Sequence, residues 1–221
     1  SAPALELFSK VAAQPSFPAA SLARIKNQLL ASFEYQKQNP GQLASLALFE
    51  QLYGQHPYAH SSSGSAESVP AITRQQLQNF HRTYYNANNA QIALVGDLSI
   101  AQAKAISETV SARLPQGSAA AVTAAPVKSA ASNTHIELPS TQTHILLAQL
   151  SVKRGDPDYP ALFLGNQILG GGGFGTRLME EVREKRGLTY GIYSSLSPMQ
   201  ATGPFMINVQ TRAQLSEATL Q

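Results

Sequence analysis

The sequence predicts an α/β protein in two parts, and three observations predict it. Apolar residues recur at helical spacing through SLARIKNQLLASFEYQKQ, ITRQQLQNFHRTYY and DYPALFLGNQILG. Two short apolar runs, AQIALVGDL and HILLAQLSV, read as strands, one in each part. Between the parts lies an Ala/Ser/Pro-rich stretch with almost no large apolar residue, which reads as a linker.

Residues 1–115 read as mostly helical. Leu22, Ile25, Leu29 and Phe33 share one face of a helix that follows the Phe17-Pro18 turn and stops at Asn39-Pro40-Gly41. QLASLALFEQLYG is a second helix ending at Gly54, and His56 to Pro70 is turn-rich. A third helix starts from Thr73 as N-cap and ends at Asn86, Asn88 and Asn89. AQIALVGDL then reads as a buried strand closed by Gly96-Asp97, and IAQAKAISETVSARL as a further helix. Residues 116–134 are the linker. Residues 135–221 open on the strand HILLAQLSV, followed by a helix from Asp158 to Leu169 with Asp156 or Asp158 as cap. After the glycines come a second helix and two strands, LTYGIYSSL and PFMINVQT, and the chain stops at Gln221 inside a new helix.

Composition narrows the function classes. Apolar residues make up 43% and charged residues 13% of the 221 residues, a globular balance whose surface falls largely to Gln, Ser, Thr and Asn. The formal charge is +3 and Lys and Arg form no basic stripe, which argues against a nucleic-acid surface. The absence of cysteine removes disulfides, thiolate catalysis and Cys-rich zinc sites. No apolar run approaches the ~18 residues that cross a bilayer. SAPALELFSKVAAQ lacks the basic start and apolar centre of a signal peptide, and a signal on a longer precursor stays open.

The run ILGGGGFGTRLMEEVREKRGLTYGIYS, from Ile168 to Ser194, carries the candidate chemistry. Gly170, Gly172 and Gly175 satisfy G-x-G-x-x-G, but a dinucleotide fingerprint needs a strand directly before it, and a helix precedes. Thr176-Arg177 follows Gly175 where a P-loop needs Lys-Ser/Thr. Gly170, Gly171, Gly172 and Gly173, with Phe174, therefore read as a glycine loop between two helices, turning where Cβ atoms are missing. Phe174, Leu178 and Val182 fall at i, i+4 and i+8, one buried stripe with Arg183 at its border. Gly187 ends that helix, and Tyr190 shares a strand face with Leu188 and Ile192. Such a helix–turn–strand can bring Arg183 and Tyr190 close, a guanidinium and a phenol suited to peptide carbonyls or a developing oxyanion. The spacing equally allows a plain reading, with Arg183 ion-paired to Glu180 or Glu184 and Tyr190 as a core aromatic.

The same run resembles the second-domain motif of the pitrilysin/insulinase-type zinc peptidases, the inverzincin family that includes mitochondrial processing peptidase. GQHPYAHSSSGSAESVPAITRQQLQNFHRTYYNANNAQIALVGDL is similar to the close of that family's first domain, and QTHILLAQLSVKRGDPDYPAL to the opening of the second. The resemblance implies an α+β sandwich of LuxS/processing-peptidase-like metalloenzyme domains, helices packed on a mixed, largely antiparallel sheet. Residues 1–115 would be the late half of the first domain and residues 135–221 the early part of the second, inactive one. Two such domains form half of a clamshell around a peptide. An Arg and a Tyr at the spacing of Arg183 and Tyr190 bind substrate there, from the half without zinc. The two parts could also pack as one permuted unit, with Ile92–Gly96 and Ile145–Leu150 in a single sheet.

The departures bear on activity. The family's peptidase halves carry H-x-x-E-H, and no such motif occurs in the chain. His56-Pro57-Tyr58-Ala59-His60 has two His but a Pro and no Glu between them, so it reads as a loop without zinc. Aligned on Asn39-Pro40, the family's third zinc ligand falls on Ser32, and Ile25 stands where another acid is usual. Glu34 is near but points about 200° away from Ser32 on a helix. The expectation is a non-catalytic, substrate-binding subunit of a heteromeric zinc peptidase, with no metal or cofactor in this chain. Zinc would lie on a partner or on a segment upstream of Ser1. The expected partners are a peptide or unfolded polypeptide and a homologous H-x-x-E-H-bearing subunit, with no nucleic acid and no membrane span. Two alternatives stand beside it, a complete zinc endopeptidase whose motif lies upstream and a structural assembly subunit. No compartment is assigned, bacterial periplasm or cytoplasm ranking ahead of the mitochondrion.

Overall fold

A computed structural model describes residues 2–121 and 131–221. The helices are α1 (Ala2–Ala13), α2 (Ala19–Gln36), α3 (Pro40–Tyr53), α4 (Ser68–Ala71), α5 (Arg74–Tyr84), α6 (Ile100–Ser111), α7 (Tyr159–Asn166) and α8 (Ser216–Leu220). The strands are β1 (Gln142–Leu150), β2 (Thr189–Leu196) and β3 (Pro204–Arg212). They gather into two units, one from residues up to Leu30 with Ala66–Ala121, the other from Ala31–Ser65 with the chain leading to Gln221. The expected linker, 116–134, contains residues 122–130, which lie outside the described residues.

Local side-chain chemistry sets several helix starts. Thr73 and Ser99 cap α5 and α6 through reciprocal boxes with Gln76 and Gln102. Asn39 caps α3 at Pro40, and Gly54 ends it. In the first unit α1 packs on α6, tied by Ser9 Oγ donating to Thr109 O at 3.0 Å. His81 of α5 meets Ala12 O at 2.7 Å and packs edge-on against Phe17. Asn86 is buried, donating to Thr83 O at 2.7 Å and Ser118 O at 3.2 Å while accepting from Asn89 N at 3.1 Å. Asn88 and Asn89 bind Gly117 O and Ala120 N. These asparagines therefore do more than end α5, because they tie residues 117–120 to it.

The segment read as a buried strand, AQIALVGDL, is not one. Gln91–Val95 makes no backbone hydrogen bond to another described residue, and Val95 is 99% exposed. Its apolar, β-branched composition suits a strand, but a strand needs a neighbour for its ladder, and none of the described residues supplies one. Ile92 and Leu94 instead line an open groove of about 820 Å³ with Phe8, Phe80, Tyr84 and Val110. A single permuted unit is not formed either, since Ile92–Gly96 and β1 fall in different units.

The second unit is built on an antiparallel sheet in the order β1-β3-β2. Ile145, Val209 and Ile192 pair across the three strands as one row, and Met179, Leu178 and Val182 cover it from one side. Ala148 and Leu150 have the opposite parity on β1 and pack against Leu52 and Tyr53 of α3. Alternation along β1 thus serves two apolar layers. Tyr53 is fully buried and donates to Thr202 O at 3.0 Å. Burial, with Tyr58 adding a smaller repulsion, pushes the Tyr53 phenol up to about 12.

That shift has a pH consequence. The folded value lies above the ~10 of an unfolded tyrosine, so the contribution is intact below pH ~10 and lost as pH rises toward the folded value. Ultraviolet titration of phenolate formation is expected to show one of the eight tyrosines ionising last, with that step missing in Tyr53→Phe. A Tyr53→Phe curve that keeps the late step would contradict this assignment.

Candidate functional site at the glycine turn

The glycines are used for close packing and for a turn. After α7 the helix widens into a π-helical segment, Gln167–Gly171. A Cβ on Gly170 would stand 2.6 Å from Ser194 Oγ and 2.7 Å from Ser194 N, and one on Gly171 would collide with Asn166 Nδ2. One on Gly172 would meet Gln167 O at 2.7 Å. Ser194 Oγ donates to Asn166 Oδ1 at 2.7 Å, with both residues buried. The run lets a helix end settle onto β2 around that polar contact. Gly173 then takes a left-handed φ of 88°, and buried Thr176 donates to Gly173 O at 3.0 Å.

Phe174 does not belong to the buried stripe its spacing suggests. It precedes the next helical turn, which begins at Arg177, and is 71% exposed, whereas Leu178 and Val182 pack in the core. Helical phase cannot be extended back through the Gly173–Thr176 turn. The segment Met179–Glu184 is again π-helical, with Lys185 N bonded to Glu180 O at 3.0 Å.

Arg183 lies on this segment. Its Cζ is 4.9 Å from the Phe174 ring centroid, and Nη1 is 2.8 Å from Glu184 Oε1. Lys185 takes the other two carboxylates, Glu180 at 3.1 Å and Glu181 at 2.7 Å. The hydrogen bond from Lys185 lowers the Glu181 carboxyl and in return raises the Lys185 ammonium. Of the two ion-pair partners the spacing allows for Arg183, Glu184 is the one used.

Tyr190 is not a core aromatic. The helix hands over to β2 through Gly187 N to Arg183 O at 2.9 Å and Leu188 N to Val182 O at 3.1 Å. Thr189 pairs with Thr211 and Ile192 with Val209, so Tyr190 and Gly191 together face Gln210 in a β-bulge. The Thr189 hydroxyl stitches it, accepting from Gly191 N at 3.0 Å and donating to Gln210 O at 2.6 Å. The bulge breaks the alternation that would put Tyr190 on the face of Ile192. Ile192 is buried and Tyr190 is 91% exposed. Arg183 and Tyr190 flank the Gly187-Leu188 turn, with no hydrogen bond between their side chains.

The residues that the sequence offers for zinc are not arranged to hold that metal. Ser32 is exposed, Glu34 pairs with Lys37 at 2.7 Å, and His56 Nδ1 accepts from Tyr58 N at 3.1 Å. Among the described residues no three His, Cys, Asp or Glu side chains gather as metal ligands. No helix among them is long and apolar enough to cross a membrane.

The family model described as the peptidase M16 inactive domain matches residues 71–221. The chain belongs to this family. A solved peptidase M16 inactive domain from Pseudomonas fluorescens is 65% identical, with a TM-score of 0.97 over 99% of this chain and 53% of that one. Pitrilysin shares the fold at a TM-score of 0.62 and 18% identity, over 99% of this chain and 24% of that one. An uncharacterized zinc protease of Mycobacterium tuberculosis is 33% identical over 160 residues, 71% of this chain and 36% of that protein. A Helicobacter pylori protein named non-peptidase homolog YmxG is 28% identical over 180 residues, 81% of this chain and 41% of its own. The chain thus spans about half or less of the length of these relatives. The M16 fold, helices on an antiparallel sheet, is the one the resemblance implies.

Three residues that hold this candidate site together escape a sequence reading. Asn166, Ser194 and Thr189 look like ordinary polar positions. The signal for Asn166 is an amide inside the apolar run ALFLGNQILG, where a buried polar group needs a partner. Gly170→Ala is expected to cost about 1–3 kcal/mol by overpacking against Ser194. Gly175→Ala, with nothing within 4 Å of its added Cβ, is expected to stay within about 0.5 kcal/mol. Urea unfolding of the intact protein compares them, and equal stability of the two variants would refute the packing role.

Proposed function

We propose that this chain is the substrate-binding, zinc-free part of a heteromeric M16 peptidase, with Arg183 and Tyr190 as its peptide contacts. The observation that carries the reading is the bulge at Thr189–Ile192, which turns an aromatic strand residue fully outward beside the end of the helix bearing Arg183. A phenol and a guanidinium presented at one turn supply donors for peptide carbonyls and for charge developing on the scissile carbonyl oxygen. The family description as an inactive domain and the likeness to a non-peptidase homolog support a role without zinc in this chain. A homologous subunit carrying H-x-x-E-H would bring the metal, the base and the attacking water.

Mixing the intact protein with such a subunit is expected to give hydrolysis of an unfolded polypeptide that neither protein achieves alone. Arg183→Ala and Tyr190→Phe are each expected to lower kcat/KM on the order of 100-fold. Unchanged hydrolysis in both variants rejects the assigned contacts. Zinc-dependent hydrolysis by the intact protein alone favours a complete peptidase, the reading suggested by relatives named zinc proteases.

A further inference from the structure

We propose that Phe174 is a positioning residue whose ring holds the Arg183 guanidinium ready for a peptide oxygen; this rests on the peptide-binding role given to Arg183 above. Phe174 stands at the tip of the glycine turn, mostly exposed, and packs into neither apolar cluster of its unit. Its backbone is nonetheless fixed from behind, by the left-handed Gly173 and by the buried Thr176 hydroxyl bonded to Gly173 O. A large apolar side chain held rigidly in water stabilises little by itself. Among the described residues its one aromatic or cationic ring contact is the Arg183 Cζ at 4.9 Å from the centroid, within cation–π range.

The chemistry of that contact suits a platform. A ring face attracts the cation through its quadrupole and uses none of the N–H donors, so the guanidinium fork stays available. Arginine loses much rotamer freedom when a ligand fixes it, and a platform already beneath it reduces that loss at the moment of binding. Glu184 acts the other way. It occupies Nη1 at 2.8 Å and has to release it before a peptide oxygen can take its place. Lys185 draws Glu180 and Glu181 aside, leaving Glu184 as the carboxylate paired with Arg183.

The test is fluorescence anisotropy of fluorescein-labelled, reduced and carboxymethylated α-lactalbumin titrated with the intact protein. Phe174→Leu is expected to weaken binding about two- to fivefold, the range of an exposed cation–π contact. Phe174→Tyr is expected to restore it and Glu184→Gln to tighten it. In an Arg183→Ala background, Phe174→Leu is expected to have no further effect. Thermal midpoints should stay together across these variants, because the ring is outside the core. Equal weakening by Phe174→Leu in both backgrounds would mean that the ring touches the peptide directly, which overturns the positioning role. Binding that falls in Arg183→Ala but not in Phe174→Leu overturns the platform alone. No binding by the wild-type protein, or none lost in Arg183→Ala, removes the underlying reading and the platform with it.

Discussion

The contact of Gly170 with the backbone of Ser194 is the constraint on which the candidate site depends. A Cβ at that position would overlap both Ser194 N and Ser194 Oγ, so any other residue would lift the helix end away from β2. The approach also closes over Asn166, whose buried amide oxygen is satisfied by the Ser194 hydroxyl. An unpaired buried amide costs about 1–3 kcal/mol, so the glycine and the hydrogen bond secure each other. With the helix end seated, the chain has to turn at Gly173 and re-enter helix at Arg177, which brings Met179 onto Ile192 and Val209.

Two irregularities then place the surface side chains, and each works by interrupting a regular period. The π-helical segment Met179–Glu184 keeps Met179 and Val182 inward while carrying Arg183 to the border. The bulge at Tyr190-Gly191 adds a residue against Gln210 and turns Tyr190 out of the core face. π-segments and bulges recur at functional positions because they re-aim side chains at a local cost in ladder hydrogen bonds. Thr189 offsets part of that cost by bonding both Gly191 N and Gln210 O.

What could be read from the sequence divides along the same line. The cap at Thr73 was legible because its donor and acceptor lie within three residues of each other, the same local rule that the structure shows at Asn39 and Ser99. So were β1, β2 and β3, whose apolar residues repeat over a whole strand. AQIALVGDL misled because burial of a strand is decided by its neighbours, which its own composition does not contain. Phe174 misled because the turn at Gly173–Thr176 resets helical phase, and Tyr190 because a bulge depends on a bond from Thr189 to the opposite strand. The glycine run itself was readable as a turn rather than a phosphate loop, but its packing partner, Ser194, stands 24 residues downstream of Gly170. Motif order identified the family where periodicity alone could not assign Arg183 or Tyr190 a role.

The electrostatics of the Met179–Glu184 segment are compatible with the peptide-binding role proposed for Arg183. The Arg183–Glu184 pair is between neighbours in sequence and open to solvent, and such pairs are worth about 0–1 kcal/mol. Replacing that carboxylate by a peptide oxygen under the proposed reading therefore sacrifices little. A buried pair in the same place would hold Arg183 against its own chain, and breaking it would cost several times more. Lys185, bridging Glu180 and Glu181, removes two further acids that would otherwise compete for the guanidinium. The helix thus leaves Arg183 anchored at one side by Glu184 and supported at the other by a ring that occupies none of its donors, an arrangement that suits the proposed binding role better than structural locking.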